Sequence, residues 1–112
     1  MTEGALQDAI RLALGQVDGS VWWRNNTGVA EHWTGRTVQR VVYGLAPGSA
    51  DLVGLVDGRF VALEVKTATG RVTPEQTQWL ALVRRYGGFA AVVRSVDEAL
   101  AAVARSRTAA CE

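Results

Sequence analysis

The run Leu52-Val53-Gly54-Leu55-Val56, then Asp57-Gly58, then Arg59 through Val65 restricts what this chain can become more than any other stretch. Both flanks are β-rich, and Asp-Gly tolerates the positive φ that a two-residue type I′ turn needs at both central positions. An antiparallel hairpin follows, and the turn length sets its register. Val56 faces Arg59, Leu52 faces Leu63, and Asp51 faces Glu64. Opposed side chains on one sheet face have Cβ atoms roughly 4.5 to 5.5 Å apart, where like charges destabilise. Two opposed carboxylates therefore require a compensating partner.

Along the second run, Glu64 and Lys66 are two apart and share a face, while Val61, Leu63 and Val65 occupy the other. Phe60 and Ala62, on the shared face, are apolar. The strand is thus apolar on both sides until its charged end, the pattern of a central buried strand. Asp51, Glu64 and Lys66 converge at that end. Burying three ionised groups is costly unless they are paired or bind a metal. The bland alternative is a Glu64 to Lys66 salt bridge beside an unrelated Asp51.

Lys66 stands out for a second reason. The chain has 12 basic residues, and all except this one are arginine. Lysine is a compact point charge whose proton affinity responds to burial, whereas arginine is a permanently charged planar fork. A site that needs the first cannot use the second, so Lys66 is a candidate for chemistry; chance is the competing explanation.

With 112 residues, 48% of them hydrophobic and 21% charged, the composition fits one globular domain spanning residues 1–112. No apolar run approaches the length of a membrane span, and Met1-Thr2-Glu3-Gly4 lacks the basic and apolar regions of a secretory leader. A cytoplasmic protein is expected, with no membrane partner. The one cysteine, Cys111, has no second thiol to pair with, so a metal would be held by oxygen atoms. Oxygen ligands suit a hard cation, Mg²⁺ or Mn²⁺, and nothing calls for an organic cofactor. In that arrangement Asp51 and Glu64 are metal ligands, the backbone carbonyl of Val65 is a further one, and Lys66 orients or deprotonates an attacking water. This is the residue set of metal-assisted phosphodiester hydrolysis. The net charge of +1 does not announce a nucleic-acid partner, so DNA contact would depend on clustered arginines.

Elsewhere, Thr2 caps a helix with Leu6, Ile10, Ala13, Leu14 and Val17 at helical spacing, ending near Asp18-Gly19. Val21 to Arg24 is a short strand. The stretch from Asn25 to Ala50 is loop-like, with one candidate strand from Thr37 to Tyr43. Thr73-Pro74-Glu75-Gln76 is a cap, a first-turn proline and a capping-box glutamine, opening a helix with Trp79, Leu82, Val83 and Tyr86 on one face. Gly87-Gly88 ends it. Phe89 to Arg94 is a strand, and Ser95-Val96-Asp97-Glu98 caps a last helix through about Arg105, beyond which the tail frays. The predicted class is α/β: a mixed β-sheet with a central hairpin flanked by helices.

Gly48-Ser49-Ala50-Asp51, twelve residues, then Glu64-Val65-Lys66 resembles the PD-(D/E)XK nuclease signature, with Ala50 where proline is common. Glu3 with Leu6-Gln7, Arg24-Asn25-Asn26-Thr27-Gly28, Tyr43-Gly44, and Gln76 with Trp79 resemble the VRR-NUC branch of that superfamily. The resemblance implies a restriction-endonuclease-like core, dependence on Mg²⁺ or Mn²⁺, and a first-helix glutamate near the metal, a place that Glu3 fits. Glu3 also suits a first helical turn as a favourable anion. Gln76 matches a family glutamine that approaches the catalytic site, yet it also sits where a capping-box glutamine belongs.

Small stand-alone members that this chain resembles, often from phages, imply a dimeric resolvase of four-way (Holliday) DNA junctions. A homodimer supplies two sites related by a two-fold axis. Trp22, Trp23 and Trp33 are candidates for its interface or for base stacking, against the commoner role of aromatic core. Arg24, Arg36, Arg40 and Arg71 are candidate phosphate contacts. Arg84 and Arg85 are assigned to a solvated helix face, and His32 to a structural or exposed position. The rival readings are a nuclease of flaps, nicks or linear ends, and a catalytically inactive nuclease fold that only binds DNA.

Overall fold

The computed structural model describes residues 1–108; Cys111 lies outside them. Helix α1 (Glu3–Leu14) is followed by strands β1 (Ser20–Arg24), β2 (Gly28–Thr34), β3 (Thr37–Tyr43), β4 (Leu52–Val56) and β5 (Arg59–Val65). Helix α2 (Pro74–Arg85), strand β6 (Phe89–Val93) and helix α3 (Val96–Thr108) complete the order. The main sheet runs β1-β4-β5-β6, antiparallel except for the parallel pair β5–β6. A parallel pair needs a long crossover, and α2 supplies it.

The β4–β5 hairpin has the expected register: Val56 pairs with Arg59 and Leu52 with Leu63. Asp57 and Gly58 have φ of 49° and 83°, both positive as a type I′ turn demands. The alternation along β5 also holds. Val61, Leu63 and Val65 pack with Leu6, Ile10 and Leu14 of α1 and with Ala99, Ala102 and Val103 of α3. Ala62 and Phe60 pack on the opposite face with Leu80, Trp79 and Val83 of α2. Helices thus cover both sides of the sheet, and β5 is buried on both. No helix among the described residues is long and apolar enough to cross a membrane.

Five details differ from expectation, one being that helix α3 continues to Thr108 instead of fraying after Arg105. Helix α1 closes at Leu14, and the chain continues in tighter turns, Gln16 N–H to Ala13 O and Val17 N–H to Leu14 O, to Gly19 at φ 77°. Val17 still packs against the core, which explains why its spacing reads as helical. The segment read as loop contains strand β2, which pairs with β3 in a separate two-stranded sheet around Gly35-Arg36. Helix α2 buries Leu80, while Leu82 and Tyr86 are exposed, so its inward stripe is Gln76, Trp79, Leu80 and Val83. Arg84 is not simply solvated: its guanidinium donates to Ala90 O at 2.9 and 3.1 Å.

Candidate active site

At the open end of the β4–β5 hairpin, β4 begins one residue after Asp51 and β5 ends one residue after Glu64. The backbone N–H of Val65 donates to Asp51 Oδ2 at 2.9 Å, which fixes the aspartate against the partner strand. A second fixture lies upstream. Asn25, buried just after β1, donates from Nδ2 to Ser49 Oγ (2.7 Å) and to Ala50 O (2.9 Å). Its Oδ1 accepts from Leu45 N–H, and its own N–H donates to Asp51 O at 2.8 Å. The turn that delivers Asp51 is therefore anchored through one buried amide.

Glu64 is 1% exposed, and Gln76 Nε2 approaches its Oε1 at 3.4 Å, while its Oε2 is buried without a hydrogen-bond partner. Gln76 serves two purposes together. Its Oε1 accepts from Thr73 N–H at 2.9 Å in a complete capping box, and its amide nitrogen turns to the site. Glu3, exposed in the first turn of α1, brings a third carboxylate: one oxygen each from Glu3, Asp51 and Glu64 lie within 4.8 Å of one another. Gln7, one turn further along α1, is buried with an unpartnered Oε1.

Three carboxylates at that separation do not all ionise without a counter-charge. The Glu64 carboxyl is pushed up to about 9, first by burial, then by the neighbouring Asp51 carboxylate, and further by Glu3. Lys66 opposes the rise. Lys66 is itself buried, with its backbone N–H bonded to Val93 O at 3.1 Å. No ion pair within 4.0 Å joins it to Glu64 among the described residues, so the salt-bridge explanation of the motif has no support.

An orphaned carboxylate oxygen inside an all-oxygen cluster fits a hard divalent cation, which would offset the repulsion that raises Glu64. Glu3, Asp51 and Glu64 could hold it. Val65, the remaining ligand candidate, ends β5 between Glu64 and Lys66 with its side chain in the α1-side core.

The arginines divide into two groups. Arg24 closes β1, paired in register with Leu52 beside Asp51, and its guanidinium meets Asp8 at 3.4 Å. Arg71 is exposed in the segment between Lys66 and the α2 cap. Arg36 and Arg40 lie instead on the β2–β3 hairpin, at its turn and on β3. Sequence reasoning overlooked Arg94, whose Nη1 donates to Thr67 O (2.6 Å) and Gly70 O (2.7 Å), fastening the loop that follows Lys66. It also gave Asn25 and Ser49 no structural task. The signal available for Asn25 was a polar residue directly after a strand.

A mixed sheet covered by helices on both sides, with an acidic cluster and a buried lysine at the end of its central hairpin, defines a restriction-endonuclease-like nuclease core. The model of the VRR-NUC domain family matches residues 2–97, and the chain belongs to that family of nucleases acting on DNA. No curated protein matches the sequence significantly.

Proposed function

We propose that this chain is a Mg²⁺- or Mn²⁺-dependent endonuclease that hydrolyses phosphodiester bonds in branched DNA as a homodimer, with four-way junctions as its principal substrate. The observation that carries the reading is the convergence of Glu3, Asp51 and Glu64 oxygens within 4.8 Å beside the buried Lys66.

Asp51, Glu64 and Glu3 would hold the cation, with the Val65 carbonyl as a fourth protein ligand. When bound, the cation supplies positive charge that polarises the scissile phosphate and favours ionised water. The remaining tasks belong to the chain. Lys66 orients the attacking water, receives or donates its proton, and stabilises charge on the phosphoryl oxygens in the transition state. Gln76 holds Glu64 in place through its amide. Arg24 and Arg71, flanking the site, and Arg36, at the hairpin turn, contact backbone phosphates. No element resembling a base-reading helix accompanies them among the described residues, which favours recognition of DNA shape over sequence. Two sites related by a two-fold axis suit symmetric incision of a junction.

Incubation with labelled four-way junction, flap, splayed and linear duplex DNA in Mg²⁺ or Mn²⁺ tests the proposal. Paired incision near the junction centre is expected, abolished by chelator. Preference for flaps or ends would replace the junction by those substrates, and binding without cleavage of any DNA would overturn the enzyme.

A further inference from the structure

The β2–β3 hairpin stands apart from the rest of the fold. Its strands pair with each other, and among the described residues no helix or main-sheet strand packs substantially against them. Every residue of the two strands is exposed except the half-buried Gly28. A lone two-stranded hairpin is marginally stable in water, so a ribbon of this composition gains from a covering surface.

The register sorts its side chains. Val29 pairs with Val42, Glu31 with Arg40 and Trp33 with Val38, and these three pairs share one face. Val29 is 54%, Trp33 62% and Val42 66% exposed. The face is therefore a charged pair between two apolar pairs. That composition disfavours DNA as its occupant, because one acid balances one base and four apolar side chains surround them. It also has a symmetry of its own. When two such faces meet about a two-fold axis parallel to the strands, β2 lies over β3 of the other copy. Glu31 then meets Arg40 of the partner subunit, Trp33 meets Val38 of the partner subunit, and Val29 meets Val42 of the partner subunit. Each apolar side chain finds an apolar one, and each charge finds its opposite. A two-fold contact demands such self-complementarity, and the charged row fixes register more than affinity.

We infer that this face of the β2–β3 hairpin is the surface through which two copies of this chain associate. The inference rests on the homodimer of the proposed function and gives that dimer its contact.

Sedimentation over a dilution series tests it with the full chain and two variants, Glu31→Arg and Arg40→Glu. The wild type is expected to dimerise, and each variant alone to do so at least tenfold more weakly. An equimolar mixture of the two variants should recover association, because each charge then meets its opposite across the interface. Within each variant the cross-strand pair remains like-charged in the mixture, so recovery reports only contacts between subunits. Variants that dimerise like the wild type, or a mixture that stays monomeric, would overturn this surface while leaving a dimer through another one. A monomeric wild type would overturn both surface and dimer. DNA cleavage measured on the same samples separates the two levels: a monomer that cuts DNA retains the nuclease, and a dimer that cuts nothing retains only the interface.

Discussion

Asp51 Oδ2 accepts the backbone N–H of Val65 at 2.9 Å, so the first acidic residue of the site is locked to the peptide joining the other two candidates, Glu64 and Lys66. That lock separates position from charge. Asp51→Asn retains a side-chain oxygen for the Val65 N–H and removes only the negative charge. The variant should fold with a thermal midpoint near that of the wild type. Its Mn²⁺ affinity, followed by titration calorimetry, should fall by about 100-fold, the upper end of what changes around metal ligands cost. Undiminished Mn²⁺ binding would remove Asp51 from the ligand set.

The proton on Glu64 makes metal-free stability depend on pH. Its ordinary value of 4.5 applies in the unfolded chain, while burial and then Asp51 push it up to about 9 in the folded one. Between these limits the folded state binds the extra proton, so unfolding free energy falls as pH rises. In chelator, the contribution is complete below about pH 4.5 and is lost progressively towards pH 9. Glu64→Gln, which cannot titrate, should flatten that slope in denaturant melts. A wild-type slope identical to that of the variant would show that Glu64 does not carry the proton.

Lys66 should not be replaceable by arginine. The buried ammonium has a compact shape and a proton it can give up, and a guanidinium has neither property. Lys66→Arg should lose cleavage by roughly 100-fold or more, the scale of removing one transition-state donor, with DNA binding retained by gel shift. Wild-type rates in that variant would strip the lone lysine of its catalytic meaning.

The centre of this site was legible because its geometry is local. Asp57-Gly58 fixes the turn, the turn fixes the register, and the register brings Asp51 towards Glu64 without any knowledge of the rest of the chain. The β2 strand was not legible, because Glu31 and His32 interrupt its apolar pattern and no core face imposes alternation on it. Helix α2 shows a different limit. Its sequence offers two overlapping apolar stripes, and only the sheet beneath decides that Leu80 turns inward and Tyr86 outward. The same rotation carries Gln76 to Glu64, so the helix face that was misassigned is the one that completes the site. Glu3 entered through family resemblance alone; spacing along the chain does not bring a first-helix residue to a hairpin.

Asn25 was named only within a family motif and its task was not legible, since its partners Ser49 and Ala50 lie 24 and 25 residues away. Its replacement is informative for that reason. Asn25→Ala leaves Leu45 N–H and Ala50 O without their side-chain partner inside a buried turn, at a cost of about 1–3 kcal/mol. The loss should appear in urea melts as a lower midpoint. Mn²⁺ binding should weaken with it, because Asp51 loses its anchored turn. A variant as stable as the wild type would mean that water replaces the amide.

Gly54 lies in the middle of β4, opposite Trp22 of β1, and the close approach of the two strands depends on its missing side chain. A Cβ there would run into the Val21 carbonyl oxygen and the six-membered ring of Trp22. Trp22 cannot easily retreat, because its Nε1 donates to Ser20 Oγ at 3.0 Å and its ring packs against the core beneath α1 and α3. Gly54→Ala should therefore destabilise the fold by about 1–3 kcal/mol through overpacking, despite the better strand propensity of alanine. Strand β1 should move away from β4, and it carries Arg24 and leads into Asn25, whose N–H holds Asp51 O. Cleavage at saturating metal should then fall more than the population of unfolded protein accounts for. A Gly54→Ala protein with normal stability and full activity would show that β1 can shift without disturbing the turn that presents Asp51.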